Sequence, residues 1–191
     1  MILSSVLPAI GLFIVTNIDD IVVLSSYKSG TTWMRGILTA LLKGAAADLD
    51  EATAWIDCGL NGFTPSGLRT FLAGLRGRRV LKSHLPGDGM PYYRNVRYVL
   101  VARDPRDVFM SLFNHYANYT PEMLARLNGP GRVGAPLPPC PERPRAFWRS
   151  WITQGFFEGE SEGRPFWANM GHTRRFWPFR RLPNVLFVHY A

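Results

Sequence analysis

The sequence predicts an α/β fold with a parallel sheet flanked by helices. Three observations predict it. Strand-like and helix-like segments alternate from Ile21 onward. The first strand-like run passes through a glycine-containing turn straight into a helical pattern. A later run, Tyr98–Ala102 (Tyr-Val-Leu-Val-Ala), is apolar throughout, as a strand covered on both faces must be. At 191 residues the chain is long enough for one domain with a buried core.

Met1 to Ile18 is an apolar run without charge, followed by Asp19 and Asp20. A membrane span takes about 20 apolar residues, so the run is borderline. No basic residue precedes it, as one would in a signal peptide. A span could not run through two aspartates directly into a buried strand, so membrane contact through 1–18 is not the expectation. Residues 1–20 are set apart as an apolar N-terminal segment, and 21–191 as the domain.

Ile21 to Ser25 is a short β-branched strand, and Lys28-Ser29-Gly30 a turn. Thr31–Lys43 then reads as a helix, with Trp33, Ile37, Leu38, Leu41 and Leu42 spaced for a buried face. Val80–Lys82 is a second strand and Tyr98–Ala102 a third. Asp104-Pro-Arg-Asp107 opens the next helix: Asp104 can cap it, Pro105 suits its first position, and Asp107 adds negative charge to its first turn. Residues 128–145 are rich in Gly and Pro and read as a long surface loop of the kind that lines a site. Helical patterns around Ala146–Gln154 and Trp167–Phe176 follow, and Val185–His189 is the last strand.

The net charge is +8, and all 22 basic residues lie after position 27. Such a body suits an anionic ligand, an anionic surface or nucleic acid. No helix-turn-helix, zinc-finger or RNA-binding signature occurs, so nucleic acid is not the expected partner. Lys28, Lys43 and Lys82 are the only lysines among arginines, which marks them as places where a compact point charge suits. Two cysteines, Cys58 and Cys140, are too few for a disulfide framework or a zinc site. A reducing compartment, and so a cytoplasmic location, is the default.

Strand, then Lys28-Ser29-Gly30-Thr31-Thr32-Trp33, then helix is a recipe for gripping an anion. Gly30 lets the backbone approach a phosphate, and free amides at the helix start point at it. Thr31 and Thr32 add hydroxyl donors and Lys28 a full charge. The arrangement is P-loop-like, yet no Walker A sequence occurs, and the strand Tyr98–Ala102 ends in Arg103 rather than in a magnesium-holding Asp. A nucleotide held by basic residues, without metal, is the expectation. Arg103 stands at the carboxyl end of its strand, where ligands of parallel sheets collect, and Ser111 can look back toward the same edge.

Tyr27-Lys-Ser-Gly-Thr-Thr-Trp33 resembles the 5′-phosphosulfate signature of the cytosolic-type sulfotransferases, although a Pro usual before the Lys is missing. Arg103-Asp-Pro-Arg-Asp-Val-Phe-Met-Ser111 is similar to the family's 3′-phosphate signature, and Lys82-Ser-His-Leu-Pro86 to its Lys-Thr-His-Leu-Pro segment. The resemblance implies sulfuryl transfer from 3′-phosphoadenosine 5′-phosphosulfate, without metal, to a small-molecule hydroxyl or amine, leaving adenosine 3′,5′-bisphosphate. It implies Lys28 on the bridging oxygen, Thr31 and Thr32 on the 5′-phosphate, and Trp33 and Tyr190 near adenine. It also implies Arg103 and Ser111 on the 3′-phosphate, Lys82 as a clamp on the moving group, and His84 as general base. His115, His172 and His189 keep a structural reading.

Family members continue past the point where this chain stops, so the resemblance implies a fold lacking its C-terminal part. Ala9–Leu24 weakly resembles a membrane segment of cadmium-resistance transporters, as a fused reading frame would. Two other readings stay open: an inactive truncated or fused fragment of such an enzyme, and a P-loop nucleotide kinase. The missing Walker A Lys and Walker B Asp weigh against the second.

Overall fold

The computed structural model describes residues 20–49, 53–57, 64–75, 77–130, 132 and 135–190. The apolar stretch 1–19, with its membrane reading, and Cys58 lie outside the described residues. Among those described, no helix is long and apolar enough to cross a membrane.

The strands are β1 (Ile21–Leu24), β2 (Thr53–Trp55), β3 (Val80–Ser83), β4 (Arg97–Arg103) and β5 (Val185–Tyr190). They form one sheet in the order β2-β3-β1-β4-β5, and every neighbouring pair is parallel. In register, Ile21 lies opposite both Val80 and Arg97, and Tyr98 opposite Val185. The carboxyl ends of all five strands therefore share one edge. Ser25, Asp57, His84, Arg103 and Tyr190 lie at or just past those ends.

Strand pleating divides the core between two faces. On one, Ile21, Val23, Val80, Val99 and Val101 pack with Met34, Leu38 and Leu42 of helix α1 (Thr31–Lys43). On the other, Val22, Leu24, Leu81, Tyr98 and Leu100 meet Leu68 and Leu72 of α2 (Pro65–Gly74) and Phe176 of α6 (Asn169–Phe176). A third cluster lies among helices: Phe109, Leu112 and Tyr116 of α3 (Pro105–Ala117) pack on Phe147 and Trp151 of α5 (Pro144–Thr153).

The helix expected after the glycine turn is present, but its buried stripe differs from the one expected. Met34, Leu38 and Leu42 face the sheet, while Trp33 is 47% and Leu41 76% exposed. Buried polar partners set this rotation: Arg35 Nε donates to Thr53 Oγ1 at 2.8 Å, and the Thr31 hydroxyl meets that of Ser25. The α3 start is as read, with Asp104 accepting from the Arg106 N–H at 2.8 Å and Asp107 in the first turn. Three elements were not read from the sequence. They are β2, α2 behind its Thr64 cap, and α4 (Pro121–Leu127) behind Thr120, which buries no residue.

At the opposite edge of the sheet Asp20 and Arg79, 1% and 2% exposed, form a buried ion pair. Arg79 Nε donates to Asp20 Oδ1 at 2.6 Å and Nη1 to the Leu72 carbonyl at 3.1 Å, so the charges are both paired and hydrogen-bonded.

Candidate active site

The turn between β1 and α1 takes its shape from two left-handed residues, Lys28 at φ 62° and Gly30 at φ 99°. Gly30 is required twice over. Its φ suits glycine, and a Cβ there would stand 2.9 Å from the Tyr190 ring. Thr64, Asp104 and Thr120 cap α2, α3 and α4, and no side chain caps α1, α5 or α6; of the uncapped starts, that of α1 lines the cavity. The first amides of α1 are thus left for an anion. Ser26 and Tyr27, just before the lysine where the usual Pro is missing, are both used. Ser26 Oγ meets Ser29 Oγ at 2.7 Å and accepts from Asn169, while the Tyr27 ring stacks on His84 with centroids 4.4 Å apart. The Ser29 hydroxyl is therefore turned inward, with its residue 1% exposed.

The tip of β3 meets the tips of β1 and β2. His84 Nδ1 lies 2.7 Å from the Ser25 carbonyl. That contact puts the proton of the neutral ring on Nδ1 and leaves the lone pair on Nε2. The His84 backbone N–H donates to Asp57 Oδ2 at 2.8 Å. The Lys82 ammonium stands 3.6 Å from the centre of the Trp55 ring, whose edge also meets His84 at 5.3 Å. Burial, and after it the Lys82 charge, lowers the His84 pKa to about 3. Burial raises that of Asp57 to about 6 against the pull of the His84 N–H, Trp55 and Lys82.

These groups open into one cavity of about 610 Å³. Lys28, Gly30, Thr31, Thr32, Trp33, Lys82, His84, Arg103, Ser111 and Tyr190 line it, so of the expected site residues only Ser29 does not. Tyr27, Trp55, His115, Tyr119, Phe166 and Trp167 were not expected there. The four-residue spacing of Ser111 and His115 on one face of α3 could have flagged His115. Nothing could have flagged Trp55 while β2 went unread. Burial and the Lys28 charge both lower the His115 pKa. His172, kept as structural in the sequence reading, is 3% exposed and hydrogen-bonds the Leu85 backbone, with burial lowering its pKa to about 4. His189 is exposed on β5.

All of these residues fall within a match to the sulfotransferase domain family over residues 18–191. The chain belongs to that family. It is 27% identical over 190 residues to a glycolipid sulfotransferase of Mycobacterium bovis, covering 90% of this chain and 58% of that protein. It is 28% identical over 182 residues to sulfotransferase 1A1 of Rattus norvegicus, covering 90% and 53%. The chain thus spans about half the length of the curated relatives it matches. Its fold is that of retinol dehydratase, solved with androsterone and the inactive cofactor PAP. The TM-score there is 0.61 at 21% identity, covering 90% of this chain and 54% of that one.

In this sulfotransferase domain the donors on the outer side of the cavity are unspent. Arg103 Nη1 donates to the Lys28 carbonyl at 3.2 Å, and its guanidinium lies 4.8 Å from the centre of the Tyr190 ring. Its buried Nε has no hydrogen-bond partner. A buried donor left this way is costly unless a ligand completes it, and an arginine fork suits a phosphate. The uncapped start of α1, the exposed Thr32 and the lysine of the turn suit a second phosphate. The Trp33 and Tyr190 rings meet edge to face, with centroids 5.2 Å apart, at the cavity wall.

Proposed function

We propose that this domain transfers a sulfuryl group from 3′-phosphoadenosine 5′-phosphosulfate to a hydroxyl or amine of a small molecule, in line, with His84 as base. One observation carries the reading: the uncapped start of α1 with Lys28, an arginine, Arg103, whose Nε has no partner, and a histidine, His84, whose Nδ1 is taken by Ser25 line a single cavity. The names of the glycolipid sulfotransferase and sulfotransferase 1A1, and the PAP complex of retinol dehydratase, support it.

The nucleotide supplies the activated sulfuryl group, and the residues here bind and orient it. The amides of Thr31 and Thr32 and the Thr32 hydroxyl hold the 5′-phosphate, and the Thr31 hydroxyl stays with Ser25. Arg103 and Ser111 hold the 3′-phosphate. Trp33 and Tyr190 flank the base. Lys28 meets the oxygen that leaves, where charge grows as the bond breaks. Lys82 draws on the moving group from the other side. His84 Nε2 accepts the acceptor's proton, since Nδ1 is spent on Ser25. A bound polyanion beside His84 opposes the lowering of its pKa by burial and the Lys82 charge, which strengthens the base.

Calorimetry with adenosine 3′,5′-bisphosphate tests the cofactor. Binding is expected, unchanged by a chelator. Equal or tighter binding of ATP with magnesium would favour the kinase reading instead.

A further inference from the structure

We propose that Asp57 is a positioning residue for His84: its buried carboxylate accepts the His84 backbone N–H and so fixes the strand tip that aims the imidazole into the cavity. The inference rests on the reading of His84 as base.

The geometry leaves the imidazole few other constraints along the main chain. His84 is the first residue past β3, so its N–H has no partner in the β3 ladder. The parallel neighbour β2 also ends at Trp55, and two residues later the chain turns Asp57 back under β3. The Ile56 N–H donates to the Lys82 carbonyl at 3.0 Å, so the tip of β2 grips the segment on both sides of Ser83. Ser25 then holds the ring from β1, and Tyr27 and Trp55 wall it. From α6, His172 hydrogen-bonds the backbone of Leu85, the next residue.

A carboxylate at this depth is costly, and besides the His84 amide the Trp55 side chain and the Asp57 N–H lower that cost. An apolar residue in its place would leave that amide buried without an acceptor. The nearby Lys82 ammonium offsets part of the burial cost of the carboxylate. Asp57 thus serves both halves of the pair at the tip of β3, and it touches the cavity with neither oxygen.

The test uses the full chain with isotope-labelled histidine as wild type, Asp57→Asn and Asp57→Leu. All three side chains are similar in outline. Both variants remove the charge, but only Asn keeps an oxygen that accepts the N–H. Nuclear magnetic resonance should show one sharp His84 ring, protonated on Nδ1, in wild type and Asp57→Asn. Asp57→Leu should broaden or split it, while affinity for adenosine 3′,5′-bisphosphate stays within about twofold. With a naphthol as probe acceptor, kcat should fall about tenfold in Asp57→Leu with the nucleotide KM unchanged, and Asp57→Asn should recover most of it. A Leu variant matching wild type in ring signal overturns the proposal, as does an Asn variant that behaves like Leu. If the wild type failed to bind the nucleotide, the functional reading would fall, and the ring signals would still decide on Asp57.

Discussion

The two walls of the cavity differ in what they leave unspent. On the inner wall, made by the tips of β1, β2 and β3, the His84 ring N–H and backbone N–H are already taken, by Ser25 and Asp57. On the outer wall, made by α1, β4 and β5, Arg103 Nε has no partner and α1 has no cap. A wall that keeps its donors free is built to hold a ligand, and its contacts are alike before and during reaction. On the proposed reading, the wall whose groups are locked holds the Nε2 lone pair in place to take a proton. Affinity should therefore belong to the outer wall and turnover to the inner.

The largest effect expected is His84→Ala, a loss of about 10²–10⁴ in kcat with nucleotide affinity nearly unchanged. Steady-state kinetics beside calorimetry measures both. Retention of near-normal turnover would remove His84 as base and leave the inner wall with a structural role. Next comes Arg103→Ala, which should weaken adenosine 3′,5′-bisphosphate binding by about ten- to a hundredfold, the worth of a hydrogen-bonded charge, with kcat at saturation little changed. A fall in kcat instead would mean that the two walls do not divide the work.

The smallest effect is on stability against pH, and it reads the buried groups of the inner wall and of α6 behind it. His84 and His172 have folded pKa values lowered from 6.5 to about 3 and about 4, so the stability they contribute is present above 6.5 and lost as pH falls. Asp57 acts oppositely: its folded pKa is raised from 3.8 to about 6, so its contribution is full below 3.8 and lost as pH rises through 6. Near pH 5 these three groups hold two histidine protons in the unfolded chain and one proton, on Asp57, in the folded chain. They should therefore lower stability by about 1.4 kcal/mol per pH unit between roughly pH 6 and 4.5, and His115, whose pKa is lowered as well, adds to the fall in the same direction. Asp57→Asn should steepen that slope to about two protons' worth, and His172→Gln should flatten it. Chemical denaturation at a series of pH values measures the slope; one indifferent to both variants would show that the inner wall is not buried as described.

The sequence by itself determined the parts that depend on neighbours along the chain. The uncapped Gly30 turn, the Asp104 cap with Pro105 behind it, and the apolar run at Tyr98–Ala102 are local signals, and each was legible in a few residues. The candidate site residues came from the same short motifs, and all but Ser29 line the cavity. Tertiary structure decided what depends on partners far away. The stripe of α1 that faces the sheet was chosen by the polar contacts of Arg35 with Thr53 and Thr31 with Ser25, which no helical spacing encodes. The three-residue β2 has too little pattern of its own to be read, and exists by pairing with β3. Because β2 carries Trp55 and Asp57 to the tip of β3, half of the inner wall was invisible until parallel register brought residues 57 and 84 within a hydrogen bond.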